Sequence, residues 1–138
     1  MIGIVVVTHG AIGEEMVRAA QRIIPEATHL VSVSVESNDP PQSIRQQIAD
    51  AIAKVDDQQG ILVLTDMFGG TPSNICLSFL GDKKIEILSG VNLPMLIKLA
   101  NMREQLSFED IVPFIQQYGQ RNIVIASHVL DGKIRRAS

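Results

Sequence analysis

Apolar residues along the chain fall into two alternating rhythms. Ile2–Thr8 is an unbroken β-branched run, the mark of a strand buried on both faces. Glu14–Ile24 carries Met16, Val17, Ala20, Ile23 and Ile24 at helical spacing, and Pro25 follows its end. His29–Val35 alternates as a second strand. Asp39-Pro40-Pro41 then opens a helix, capped by Asp39 or a neighbour, whose inner stripe is Ile44, Ile48, Ala51, Ile52 and Val55. Gly60–Thr65 is a third buried strand. A polar, glycine-rich turn follows it over residues 66–74, and Ile75–Leu80 is helical. Lys84–Leu88 is a fourth strand and Leu93–Met102 a helix with Pro94 near its start. Ser107 opens a further helix that ends near Tyr118-Gly119, and Asn122–Ala126 reads as a last strand.

Strands alternating with helices imply an α/β fold: three layers, doubly wound, with a mostly parallel sheet in the flavodoxin-like order 2-1-3-4. The final run has little chain before it for a helical crossover, so it is expected as an antiparallel edge strand. The 138 residues, 46% of them apolar, suit one domain over 1–138 with a sizeable core. With aromatics at 4% and no Trp, aliphatic side chains must fill that core.

Charge and cysteine content narrow the function. The net charge of −3 is scattered without a run of one sign, which argues against a nucleic-acid partner. Lys133, Arg135 and Arg136 read as a solvated tail. Cys76 lies in an apolar run with no activating neighbour and reads as a buried small hydrophobe. A single cysteine makes no internal disulfide. The apolar N-terminus lacks signal-peptide features, and no stretch reaches the roughly 20 apolar residues of a membrane span. A cytoplasmic location is expected.

In doubly wound sheets, ligands sit beyond the carboxyl ends of strands where the winding reverses. The first strand ends in Thr8-His9-Gly10 and the third in Thr65-Asp66. Order 2-1-3-4 makes these ends neighbours, so His9 and Asp66 should emerge side by side. A carboxylate beside an imidazole fixes its tautomer and frees the other nitrogen to attack. Gly69 and Gly70 permit close backbone approach to an anion, and Thr71 and Ser73 offer hydroxyls beside it. No lysine follows this turn as in a Walker A loop, and Asp66 has no acidic neighbour for a magnesium site. No metal, nucleotide or other cofactor is expected, because the group would travel covalently on His9. Weighed separately, Asp66 also fits a plain turn former, Asn92 a helix cap, and Met67 and Phe68 either a docking rim or loop packing. His29 and His128 lie in strand-like runs without partners and read as structural or surface residues.

Three ordered motifs carry a family resemblance. They are the segment 2–10 ending in Thr8-His9-Gly10, the segment 64–74 containing Asp66-Met67-Phe68-Gly69-Gly70-Thr71-Pro72-Ser73, and the segment 89–96 containing Gly90-Val91-Asn92-Leu93-Pro94. In register over nearly the whole chain, they resemble the IIA domain of the mannose (mannose/fructose/sorbose) family of the phosphoenolpyruvate-dependent sugar phosphotransferase system. The resemblance implies a phosphotransferase in which His9 accepts a phosphoryl group from the histidine-containing phosphocarrier protein. His9 then passes it to a histidine of a IIB protein or domain, and membrane permease subunits are engaged indirectly. It implies Asp66 as the acid that orients His9, the Gly69–Ser73 turn as the phosphate cradle, and the Gly90–Pro94 loop with Asn92 as site lining; Gly10, Met67 and Phe68 are further candidate lining residues. It also implies a homodimer whose last strand is exchanged. Met67 replaces a hydroxyl residue found after the aspartate in some members. A regulatory IIA module, whose phosphorylation state a partner reads, is the alternative. A dihydroxyacetone-phosphorylating subunit is a weaker one.

Overall fold

The computed structural model describes residues 1–81 and 84–132. Four strands form one all-parallel sheet in the order β2-β1-β3-β4. They are β1 (Gly3–His9), β2 (Leu30–Val35), β3 (Ile61–Thr65) and β4 (Ile85–Ser89). The two central strands have the longest apolar runs, since only they are covered on both faces and both edges. The expected order is thus observed.

Side chains alternate across the sheet and build two cores. Ile4, Val6, Leu62 and Leu64 pack against Val17 and Ala20 of α1 (Ile12–Ile23), Leu96 and Leu99 of α4 (Leu93–Met102) and Ile111 and Ile115 of α5 (Phe108–Arg121). Val5, Val7, Ile61 and Val63 face Ile44, Ile48 and Ile52 of α2 (Pro41–Val55) and Cys76 of α3 (Thr71–Cys76). Cys76 is fully buried, and burial pushes its thiol up to about 12, so it is an inert core group.

Helix ends show which local signals decided structure. Asn92 and Ser107 cap α4 and α5 by accepting the N–H groups of Met95 and Asp110, each at 3.1 Å. Asp39 does not cap α2; its carboxylate accepts the Glu36 N–H at 2.9 Å and Pro40 occupies the cap position. The helix expected to start at Ile75 starts at Thr71, with Pro72 in its first turn, and continues as a 3-10 turn over Leu77–Phe79. His29 is not a strand residue: it precedes β2 at a φ of 53°, and its carbonyl accepts Ile4 N–H and the buried Arg103 guanidinium.

The C-terminal strand is the main correction. The sheet has no antiparallel edge strand over 122–126: helix α5 runs on to Arg121, and Ala126–Leu130 forms a short helix, α6, that carries His128. The backbone at Ile125 is extended (φ −93°, ψ 118°), but residues 123–125 make no sheet pairing and Ile123 is 80% exposed. The segment turns immediately at Asn122, with Ile123 N–H bonded back to the Gln120 carbonyl, and enters α6 at Ala126. The tail of Lys133, Arg135 and Arg136 lies outside the described residues. Among the described residues, no helix is long and apolar enough to cross a membrane.

Candidate functional site

Strand register brings the chemistry together. Val7 of β1 lies opposite Thr65 of β3, so β3 leaves the sheet at Asp66 beside the end of β1, which stays paired with β2 through His9. His9 ends β1 with its side chain 47% exposed, while Asp66 begins the β3–α3 loop at 17%. Alternation along β1 places His9 on the α2/α3 side, where Gly70 and Thr71 lie.

Asp66 turns back toward β1 and meets His9 twice. One carboxylate oxygen, Oδ2, accepts the His9 backbone N–H at 3.0 Å and lies 2.9 Å from the ring Nδ1. The other, Oδ1, accepts the Met67 N–H at 3.0 Å. Partial burial alone would raise the Asp66 pKa. The hydrogen bonds and charge from His9, together with the Met67 N–H, outweigh it and hold the carboxyl below its ordinary value. The folded-state value therefore lies below the unfolded one. The stability this pairing contributes is present at neutral pH and lost as the pH falls through the lowered value.

An ionised carboxylate only accepts hydrogen bonds, so the proton of a neutral His9 ring sits on Nδ1. That leaves the Nε2 lone pair free and directed away from Asp66. Gly70 makes room for this side of the ring: a Cβ there would lie 2.7 Å from Cε1 and 3.0 Å from Nε2. Beside the ring opens a cleft of about 400 Å³, bounded among others by Gly10, Glu36, Ser37 and Thr71.

The glycine turn is built from within. The buried Ser73 hydroxyl accepts the Gly69 N–H at 2.9 Å and donates to the Gly70 carbonyl at 3.0 Å. Gly69 has a φ of 94°, which favours glycine there. Ser73 and Gly69 therefore satisfy each other and shape the turn. Among the described residues, neither the Gly70 nor the Thr71 N–H has a partner. Met67 and Phe68 stand out at the rim, 54% and 71% exposed. Asn92 lies farther from the pair, where its side chain caps α4 and donates to the Gly119 carbonyl at 3.1 Å. Glu36 and Ser37 were not anticipated in the cleft, since nothing in the sequence marks where the β2–α2 loop folds back.

Comparison with known proteins places the chain in a family. The model of the family described as the phosphotransferase system fructose IIA component matches residues 3–116. The chain belongs to this family. It is 27% identical over its whole length to the fructose-specific EIIA component of Bacillus subtilis, covering 94% of that protein. It is also 27% identical, over 88% of its length, to the mannose-specific EIIAB component of Escherichia coli K12, of which it spans 38%. The crystal structure of the phosphotransferase system component EIIA from Streptococcus agalactiae superposes with a TM-score of 0.81. Identity there is 30%, and the match covers 92% of this chain and 98% of that one. Membership of the family supports a role in the sugar phosphotransferase system. Both the fold order and the resemblance noted from the three motifs agree with it.

Proposed function

We propose that the chain is a cytoplasmic phosphocarrier that accepts a phosphoryl group on Nε2 of His9 from a phosphohistidine of the carrier protein and donates it to a IIB histidine. The observation that carries this reading is the 2.9 Å contact between Nδ1 and Asp66, which leaves Nε2 as the available nucleophile. In the transfer, a bond forms between Nε2 and phosphorus while the donor's N–P bond breaks, its electron pair returning to the donor imidazole. His9 becomes a cationic phosphoimidazole that keeps its Nδ1 proton, and the Asp66 carboxylate offsets the charge. Gly70 and Thr71 supply N–H groups, and Thr71 a hydroxyl, for the phosphoryl oxygens. Transfer between two similar N–P bonds is nearly balanced, so the protein contributes alignment and anion stabilisation. The bond energy arrives with the donor, so the reaction calls for no nucleotide or metal on this chain. Met67 and Phe68 at the rim suit an apolar docking face for the two protein partners.

The test is intact-mass analysis after incubation with phosphoenolpyruvate, the system's first enzyme and the phosphocarrier protein. The expected result is one acid-labile, base-stable phosphoryl group per chain, and its absence overturns the reading. Gly70→Ala supplies a geometric check. The backbone there (φ −85°) accepts alanine, but the new methyl pushes the half-exposed imidazole off its seat. Transfer from the carrier is expected to fall by about 10²-fold, the scale of a 1 Å misplacement, with the thermal midpoint nearly unchanged.

Assembly follows from the exposed C-terminal segment. Ile123, Val124, Ile125 and Leu130 are 80%, 41%, 57% and 87% exposed, and among the described residues the outer edge of β4 pairs with no strand. An apolar extended segment and an open sheet edge are liabilities that a second copy would cover. We assign this segment to an exchange with the partner's sheet in a homodimer. Light scattering is expected to give twice the chain mass, and a chain truncated after Tyr118 should lose the dimer and aggregate. A well-folded monomer from that truncation would defeat the assignment.

A further inference from the structure

Two buried threonines stand at the two strand ends that carry the chemistry. Thr8 and Thr65 are both fully buried. The Thr8 hydroxyl lies 2.8 Å from the Gly13 N–H and 3.1 Å from the Gly10 carbonyl. An amide N–H only donates, so the hydroxyl proton of Thr8 goes to the carbonyl of Gly10. The Thr65 hydroxyl lies 3.3 Å from the Met67 carbonyl and 2.8 Å from the Ser89 hydroxyl. A hydroxyl has one proton, and that of Thr65 goes to the nearer acceptor, the Ser89 hydroxyl on β4, with the Met67 carbonyl a longer contact two residues forward. In both places a hydroxyl at the last buried strand position anchors the backbone beside a site residue: Thr8 holds the Gly10 carbonyl across His9, and Thr65 ties the strand end before Asp66 to β4.

We infer that Thr8 and Thr65 are positioning residues that set the His9–Asp66 geometry. This rests on the phosphohistidine reading above. The backbone shows why each brace acts on the pair. Gly10, at a φ of 56°, gives its N–H to Val35 of β2 at 2.8 Å and its carbonyl to Thr8, so the peptides after His9 are fixed from both sides. Met67 gives its N–H to Asp66 Oδ1, and Thr65, one residue before Asp66, is tied to Ser89 of β4 through its hydroxyl, so the strand end from which the carboxylate is aimed is itself held. Thr65 also accepts the N–H groups of Gly90 and Val91 on its own carbonyl, at 2.9 and 3.0 Å, tying the Asp66 loop to the β4–α4 loop. Gly13 fits the arrangement: a Cβ there would lie 2.9 Å from Thr8 Cγ2. Without the braces, the two loops still meet at Asp66 Oδ2 through the His9 N–H and ring, but neither is held from behind.

The experiment compares Thr8→Val and Thr65→Val, which keep the shape and lose the hydroxyl, with Thr8→Ser and Thr65→Ser, which keep the hydroxyl. Single-turnover transfer from the phosphorylated carrier is read beside nitrogen-15 NMR of the His9 ring. Each Val variant is expected to lose about 10–10²-fold in maximal transfer rate. The half-saturating carrier concentration should stay unchanged, and the ring signals should shift from the Nδ1–H form toward a tautomer mixture. The Ser variants should restore both readouts. Should a Val variant fail to fold, Thr→Ala at the same position removes the hydroxyl without adding an apolar contact and is read in the same way. Folded variants without the hydroxyl that transfer at the wild-type rate with wild-type ring signals overturn the inference. If wild-type His9 takes no phosphoryl group, the proposed function fails, while the tautomer signals still decide whether the braces set the pair.

Discussion

His9→Ala is expected to abolish phosphorylation completely while leaving the chain folded. The ring lies outside both apolar cores, and its side chain is already 47% exposed, so its loss removes little burial. The backbone N–H of residue 9 still reaches Asp66 Oδ2, so the turn itself keeps a tie to the β3–α3 loop. A surface-like change of this kind alters stability by about 0.5 kcal/mol, to which the loss of one hydrogen bond to a charged group adds about 1.5 kcal/mol at most for a site this open. No other histidine can substitute. His29 precedes β2 at the amino end of the sheet, and His128 sits on α6. The check is intact mass with a fragment map of any label, alongside circular dichroism of the variant. A phosphoryl group recovered on a fragment containing His29 or His128 would remove His9 from the centre of the mechanism.

How much of this was legible in the sequence depends on which interactions decide each feature. The sheet order followed from apolar run length and crossover rules, because a strand buried on both faces has little choice of residues. The meeting of His9 and Asp66 was visible for the same reason: each follows or ends a buried run, and neighbouring strand ends must meet. Helix α4 was read at its true bounds, since Asn92 and Pro94 are local signals at its start. Local signals failed where packing took over. Helix α5 passes Gly119 because that glycine admits the Met95 side chain; a Cβ there would lie 2.6 Å from its sulfur. The run Ile123-Val124-Ile125 has strong β propensity, but among the described residues it pairs with no strand, because the chain turns at Asn122 and enters α6 at Ala126. Ser73 and Thr71 look alike in the sequence as hydroxyls near the glycines. Only the fold turns one inward to build the turn and leaves the other at the cleft. Thr8 and Thr65 were passed over because a threonine in a β-branched run reads as a strand former. Their signal was position, as the last buried residue before a polar one.

Asp66→Asn is the sharper test, because it preserves shape and changes only which atoms donate and accept. In the native site the carboxylate receives three donors: His9 N–H and the Nδ1 proton on one oxygen, and Met67 N–H on the other. An amide has one oxygen and one NH2 group. With the oxygen toward His9, the NH2 faces the Met67 N–H, and two donors repel. With the amide reversed, the NH2 faces the His9 N–H and stabilises the Nδ1-unprotonated tautomer, which places the proton on Nε2 and removes the nucleophile. Neither orientation offsets the positive charge on the phosphorylated ring. The expected loss in single-turnover transfer is about 10²–10⁴-fold, the upper end matching what an Asp-to-Asn change costs where a carboxylate sets the tautomer of a catalytic histidine. Affinity for the phosphorylated carrier should change little, since Asp66 lies under the ring at 17% exposure and offers a partner little surface. Asp66→Asn also removes a carboxylate whose pKa folding lowers, so the variant should lose less stability than the wild type as the pH falls through the lowered value. Rapid-quench transfer kinetics and a pH series of thermal midpoints provide the two measurements. A variant that transfers at the wild-type rate would take Asp66 out of the mechanism, whatever its effect on stability.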